Sequence, residues 1–432
     1  MPTLLADVVE ASRRAAETSS RLAKRDAIAA CLRGAAADEV EIAVAYLSGA
    51  IRQGRMGIGY ATLAALRGAH APQAELTLRD VDAALGRIAG TTGKGSAAAR
   101  QAQLESLFER ATEAEQDFLV RLLVGELRQG ALEGVMIDAI AAAAGVPANE
   151  VRRAAMFTGD LGLVARVAST EGADGLAAFA VSLHRPVQPM LAQPAADIAD
   201  ALARLGTAAL EWKVDGARVQ AHKSGSEIAV YTRNLNDVTA SVPEIVEALQ
   251  ALPARELILD GEAIALAASG APQPFQVTMR RFGRKLDVAR MRAELPLAVF
   301  FFDCLQRDGS SLIDRPAQER FDALAEAVPA PLVIPRLITA DLAAGEDFYA
   351  DALARGHEGV MAKALDAPYE AGSRGASWLK VKRAHTLDLV VLAAEWGHGR
   401  RRGWLSNLHL GARGPAGTWV MLGKTFKGMT DA

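Results

Sequence analysis

In EWKVDGARV, residues 211 to 219, a lysine stands in the middle of a stretch that otherwise reads as a β-strand, and Asp215, Gly216 and Arg218 follow it. A lysine between strand residues ordinarily snorkels to the surface or pairs with a neighbouring carboxylate such as Asp215. The other use is chemical. An amine that has lost its proton is a nucleophile, and nearby cations with partial desolvation lower its pKa far enough for that role. The pattern K-x-D-G-x-R has companions downstream, in order: TRN (232 to 234), LDGE (259 to 262), FFFD (300 to 303), EGVMAK (358 to 363) and SWLKVK (377 to 382). Taken singly, Glu262 reads as a solvated hairpin residue after Asp260-Gly261 and Phe302 as core, while Trp378 reads equally as packing or as function. An ordered set is far more specific than any one member.

The elements that must position these residues change character along the chain. Residues 1 to 180 are alanine-rich with apolar residues at helical spacing. Leu104, Leu107, Phe108, Ala111, Phe118, Leu119, Leu122 and Leu123 are expected on one face. GTTGKGS (90 to 96) lacks the first glycine of a phosphate-binding loop, since Ile88 stands where that glycine belongs, so it and the PANE turn (147 to 150) read as breaks between helices. Residues 181 to 195, with three prolines in SLHRPVQPMLAQP, read as a linker. From 196 to 385 short strands are expected: ALEWKV, ARVQAH, EIAVYTR, then ELIL and EAIAL on either side of Asp260-Gly261, then LAVFFFD, GVMAK and SWLKVK. Several are joined by turns too short for a crossover helix, so the sheet is at least partly antiparallel and a doubly wound nucleotide fold is excluded. Residues 386 to 432 read as strands of a small β-domain.

A chain of 432 residues calls for two or three domains, and half of it is apolar. A net charge of -3 does not advertise a nucleic-acid binder, so any such surface must be local. Cys31 and Cys304 can supply neither a disulfide framework nor a four-cysteine zinc site, which fits a reducing cytoplasm. No secretion signal and no run of about eighteen apolar residues is present, so no membrane role is expected.

With these motifs in this order, the chain resembles the covalent nucleotidyltransferases, and most closely the ATP-dependent DNA ligases. The resemblance runs from the first helices to the end of the sequence. GELRQGALEG (125 to 134) resembles part of their helical DNA-binding domain, and GHGRRRGWLSNLHLGAR (397 to 413) the start of their oligonucleotide-binding barrel. It implies an all-α N-terminal DNA-binding domain, an α+β adenylation domain with antiparallel sheets, and a partial OB-fold. It also implies ATP and magnesium as cofactors, nicked double-stranded DNA as partner, a cytoplasmic location and a monomer. Lys213 would attack the α-phosphorus of ATP, in a field supplied by Arg218, Lys380 and Lys382. Glu211 would read the adenine amino group and Phe302 stack on the base. Arg218 and Arg233 would hold phosphate and ribose oxygens, and Glu262 would accept from the ribose hydroxyl. Arg374 and Lys380 would complete the nucleotide site, and Glu358 would hold magnesium. Arg400, Arg401 and Arg402 are read either as a solvated loop or as phosphate contacts.

One family feature is absent: a basic segment in the later barrel strands that orients the departing pyrophosphate. Its absence weakens the expectation that the chain performs the first step unaided, and an incomplete barrel leaves an open strand edge. Capping enzymes share the lysine but not the helical domain, and NAD-dependent ligases carry a zinc module that two cysteines cannot build. An RNA ligase and a catalytically impaired nick-binding protein are the remaining alternatives.

Overall fold

The computed structural model describes residues 2–54, 56–127, 133–267, 269–282, 287–370, 372, 375–383, 386–397, 403–415 and 417–425. The chain divides into two compact units, Met1–Val381 and Lys382–Ala432. Among the described residues no helix is long and apolar enough to cross a membrane.

The first unit opens with helices, from Leu5–Ala16 to Leu161–Ala177, around a single apolar cluster reaching from Leu5 to Leu176. The apolar stripe expected on one face lies instead on two helices, Ser96–Glu109 and Glu113–Leu123. The break has a local cause: Thr112 and Glu115 form a reciprocal cap, the Thr112 N–H donating to the Glu115 carboxylate at 2.8 Å, and a new helix starts there. Leu104, Leu107, Phe108, Phe118, Leu119 and Leu122 are buried nonetheless, because both helices face the same core.

Two five-stranded sheets follow. Their strands in chain order are β1 (Gln193–Pro194), β2 (Ala208–Lys213), β3 (Ala217–Ser224), β4 (Glu227–Thr232), β5 (Glu256–Ala265), β6 (Leu297–Arg307), β7 (Ser310–Ser311), β8 (Arg336–Thr339), β9 (Gly359–Ala364) and β10 (Trp378–Lys382). One sheet has the order β1-β10-β9-β2-β8 and the other β4-β3-β5-β6-β7. The pairings of β2 with β8 and β9, and those of β3 to β7, are antiparallel, while β1 and β10 are parallel. Helices Ile198–Leu205 and Leu342–Ala354 cover one face of the first sheet, and helices Pro243–Gln250 and Ala317–Ala327 one face of the second. Between the sheets, Val214, Ile264 and Ile334 form one apolar contact, and Ile258, Leu305, Met190 and Trp378 another.

ELIL and EAIAL are one strand, β5, and Asp260-Gly261 is inside it rather than at a turn. A Cβ at Gly261 would meet Phe301 Cδ1 at 2.8 Å, so the glycine serves the close approach of β6, whose register shifts at that point. Gly216 is required for the same reason: a Cβ there would lie 2.4 Å from the Ala263 carbonyl of β5.

Lys223 is buried on β3 and caps a helix. Its ammonium donates to the carbonyls of Leu249, Gln250 and Leu252 at 3.0, 3.3 and 2.5 Å, the orphan acceptors at the end of Pro243–Gln250. Lys223→Met keeps the stem and removes the donors, so it is expected to lower unfolding stability by roughly 1–3 kcal/mol in a denaturant titration.

Among the described residues the second unit holds a three-stranded antiparallel sheet of β11 (Val390–Trp396), β12 (Leu405–Arg413) and β13 (Trp419–Thr425). Glu395 on β11 accepts from Asn407 and His409 at 2.7 and 2.8 Å and from Lys424, which ties all three strands together.

Candidate active site

Strand periodicity decides which side chains meet. On β2, Glu211 and Lys213 are two apart and share a face, while Leu210 and Trp212 point to the helices behind. On β3 and β5, Arg218 pairs with Glu262 across the ladder and Gln220 with Asp260. On β6, Phe302 shares its face with Phe300, and Phe301 is buried in the core behind.

Lys213 ends β2 opposite Gly359, and its carbonyl accepts the Glu358 N–H at 3.1 Å. Its ammonium forms an ion pair with the Glu358 carboxylate, and both side chains keep partial exposure at 22% and 27%. The proposed nucleophile and the proposed metal ligand therefore touch, although 145 residues separate them.

Glu211 is only 2% exposed and is gripped by two cations. Arg336 on β8 donates to its Oε1 through Nε and Nη2 at 2.8 and 2.5 Å, and Lys363 on β9 pairs with Oε2 at 2.6 Å. Lys363 also lies 4.4 Å from the Phe302 ring centroid and 4.2 Å from that of Trp378. Burial pulls its pKa down, and Glu211 and Asp303 oppose the shift. Trp378 meets Phe302 edge to face at 6.0 Å.

Arg218 forms a two-toothed ion pair with Asp260, Nε to Oδ1 at 3.1 Å and Nη2 to Oδ2 at 2.5 Å. Its Nη1 donates to the Met190 carbonyl at 2.5 Å, and the Tyr369 hydroxyl donates to Asp260 at 2.6 Å. Burial works against the charge on Arg218, but Asp260, Tyr369 and Glu262 together more than offset it and hold the guanidinium protonated. The proline-rich segment is bonded to this strand along its length. Gln220 exchanges two hydrogen bonds with the Val187 backbone at 2.8 and 3.3 Å, and His222 Nδ1 accepts the His184 N–H at 3.0 Å. Burial lowers the His222 pKa to about 3, which keeps the ring neutral and able to accept.

Glu262 is not a solvated hairpin residue, because β5 continues through it. Burial raises its pKa to about 8; Arg218 and Lys213 pull it down, and Asp260 and Asp215 push it up. An acid whose pKa is higher folded than unfolded contributes stability that is full below the unfolded value, near 4.5, and is lost as pH rises through about 8. Without nucleotide, Glu262→Gln is therefore expected to lose less Tm than the wild type between about pH 5 and 9. Parallel Tm profiles would contradict the assignment.

Of the other expected site residues, Lys380 alternates with buried Leu379 and Val381 on β10 and shares the face of Trp378. Lys382 is exposed at the end of that strand, and Arg233 is exposed in the turn after β4. Arg374 and Arg400 to Arg402 lie outside the described residues, as does the middle of GELRQGALEG. Sequence reasoning missed Arg336, Asp260 and Tyr369 and gave Lys363 no role. Lys363 stood inside EGVMAK, where its placement on a strand parted from Glu211 by one ladder could be found; Arg336 carried no signal at all.

Residues 189–382 match the family described as ATP dependent DNA ligase domain, and residues 64–141 the one described as DNA ligase N terminus. A probable DNA ligase of Anaeromyxobacter dehalogenans (strain 2CP-C) is 61% identical over 434 residues, covering 99% of this chain and 85% of its own. One of Sorangium cellulosum (strain So ce56) is 56% identical over 431 residues, covering 99% and 81%. A solved structure described as Pmar-Lig_Pre is 19% identical, with a TM-score of 0.63 over 98% of this chain and 88% of that one, a likeness in fold.

Proposed function

The chain belongs to the ATP-dependent DNA ligases, and from that premise we propose that its ATP-driven joining of DNA runs through Lys213, with nicked duplex DNA as the substrate. The observation that carries this reading is the meeting of Lys213 and Glu358, with Glu211 two residues before Lys213 on the same face of β2. The amine of Lys213 attacks the α-phosphorus of ATP; an N–P bond forms, the bond to the β-phosphate oxygen breaks and pyrophosphate leaves. The AMP then passes to a 5′-phosphate, and the 3′-hydroxyl displaces it. For the first step Lys213 must surrender its proton, which its ion pair with Glu358 opposes.

Among the described residues no group of three or more His, Cys, Asp or Glu side chains could hold a metal by itself. The residues fit magnesium in a different way. Glu358 offers one partly exposed carboxylate, and this hard cation commonly takes one or two carboxylates together with substrate phosphates. When bound it would neutralise phosphate charge, and Glu358 engaged there would release the ammonium of Lys213.

Glu211 reads the adenine edge, Phe302 stacks on its face and Glu262 accepts from the ribose. Arg218 and Arg233 serve phosphate or ribose oxygens, with Lys380, Lys382 and Arg374 completing the site. Residues 1–180 form the DNA-binding domain, 181–195 the connection, 196–385 the adenylation domain and 386–432 part of an OB-fold. The protein works as a cytoplasmic monomer in DNA repair or replication.

The test is a pulse and chase. The chain is incubated with magnesium and ATP labelled at the α-phosphate, then given nicked duplex and excess cold ATP. Label should appear first on the protein, then on the 5′ end of the DNA, and finally as free AMP with a sealed strand. Sealing that never passes label through the protein would overturn the covalent route.

A further inference from the structure

Two cations, one buried and one partly buried, converge on Glu211, and nothing in the reaction outlined above uses them. Arg336 is 13% exposed and Lys363 is 1% exposed. Holding two charges out of water is costly unless their geometry serves something. We propose that Arg336 and Lys363 are positioning residues that set the purine preference of the first step, by holding the Glu211 carboxylate where it accepts from the 6-amino group of adenine and repels the 6-oxo group of guanine. The inference rests on Glu211 being the purine reader.

The geometry supports it in three ways. Arg336 occupies Oε1 with two N–H groups, and the Lys363 ammonium stands 2.6 Å from Oε2 as an ion pair. A carboxylate has about four acceptor positions, so an acceptor remains on Oε2 for a donor from the ligand. A carboxylate carries no proton to offer, so it satisfies an amino group and opposes a carbonyl. Second, Arg336 Nη2 also donates to the backbone carbonyl of Phe302 at 2.9 Å. One guanidinium thus fixes both the group that reads the purine edge and the residue that stacks on its face. Third, the clamp is itself held rigid. Arg336 pairs with Glu211 across the β2–β8 ladder, and its Cζ lies 3.5 Å from the ring centroid of Phe321, which is buried.

The experiment measures initial rates of label transfer to the protein from α-labelled ATP and from α-labelled GTP, over a range of concentrations, for wild type, Arg336→Met, Arg336→Lys and Glu211→Gln. Arg336→Met should raise KM for ATP and cut the ATP-to-GTP ratio of kcat/KM by roughly 10- to 100-fold, the factor carried by a hydrogen bond to a charged group. Arg336→Lys keeps the charge without the fork and should recover part of that ratio. It also carries the comparison if Arg336→Met does not fold, with a smaller drop expected. Equal losses for both nucleotides in the arginine variants, or an unchanged ratio, would overturn the proposal and leave Arg336 a structural residue. Glu211→Gln separates the two ideas: its amide can donate as well as accept, so it should relax the preference. A preference kept in Glu211→Gln would instead overturn Glu211 as the reader, and the clamp with it.

Discussion

Lys213→Ala is expected to abolish transfer of label from α-labelled ATP to the protein, a loss of at least about a thousandfold, the scale on which removing a nucleophile acts. The chain should stay folded. The Lys213–Glu358 pair is partly exposed, and such pairs contribute about 1 kcal/mol or less, so the denaturation midpoint should barely move. Lys213→Arg makes the more demanding comparison. It keeps a cation beside Glu358, but a guanidinium cannot give up its proton in a protein, so the adduct should be lost just as completely. Both variants should still seal nicked DNA supplied with AMP already on its 5′-phosphate, because the amine has no part in attack by the 3′-hydroxyl. Residual labelling in Lys213→Arg would mean that this lysine supplies charge and another group is the nucleophile.

Arg320→Leu is expected to cost roughly 3–5 kcal/mol of unfolding stability. Arg320 and Asp303 are both fully buried and are joined by two hydrogen bonds, at 2.8 and 3.2 Å. The guanidinium also satisfies the carbonyls of Arg315 and Ala367 at 2.6 and 3.0 Å. Removing it strips a buried carboxylate of its hydrogen-bonded cation and leaves it the through-space field of Lys363, which makes the change among the most destabilising single ones available. Replacing both partners, as Asp303→Leu with Arg320→Leu, should cost less than the single change because the stranded charge goes too. Recovery is partial, since two carbonyls still lack their donor. Asp303 follows Phe302 directly, so the single variant should also weaken ATP binding. A denaturant titration of the three proteins decides it: a loss under about 1 kcal/mol in Arg320→Leu would show that water reaches the pair.

The order of the motifs was legible in the chain because the chemistry restricts residue types. A lysine nucleophile, a carboxylate for a hard cation and an aromatic for a purine face each admit few substitutes. The glycine of K-x-D-G-x-R was legible as a pattern, but its reason, the Ala263 carbonyl 2.4 Å from where a Cβ would stand, belongs to a strand some fifty positions away. Local signals misled where tertiary pairing overrode them. Asp260-Gly261 has the composition of a turn, yet Arg218 neutralises the aspartate, Tyr369 donates to it, and β6 needs the glycine, so the strand runs straight through.

The sequence by itself determined the helical and strand-rich segments, the antiparallel pairing implied by short turns, and, through the two-residue period of β2, that Glu211 and Lys213 share a face. Only the tertiary structure decided what meets them. Glu358 reaches Lys213, and Arg336 and Lys363 reach Glu211, through ladders that pair residues more than a hundred positions apart. Side-chain periodicity is a local property of the backbone, whereas the partner across a ladder is set by register, and register is fixed by the packing of the whole sheet.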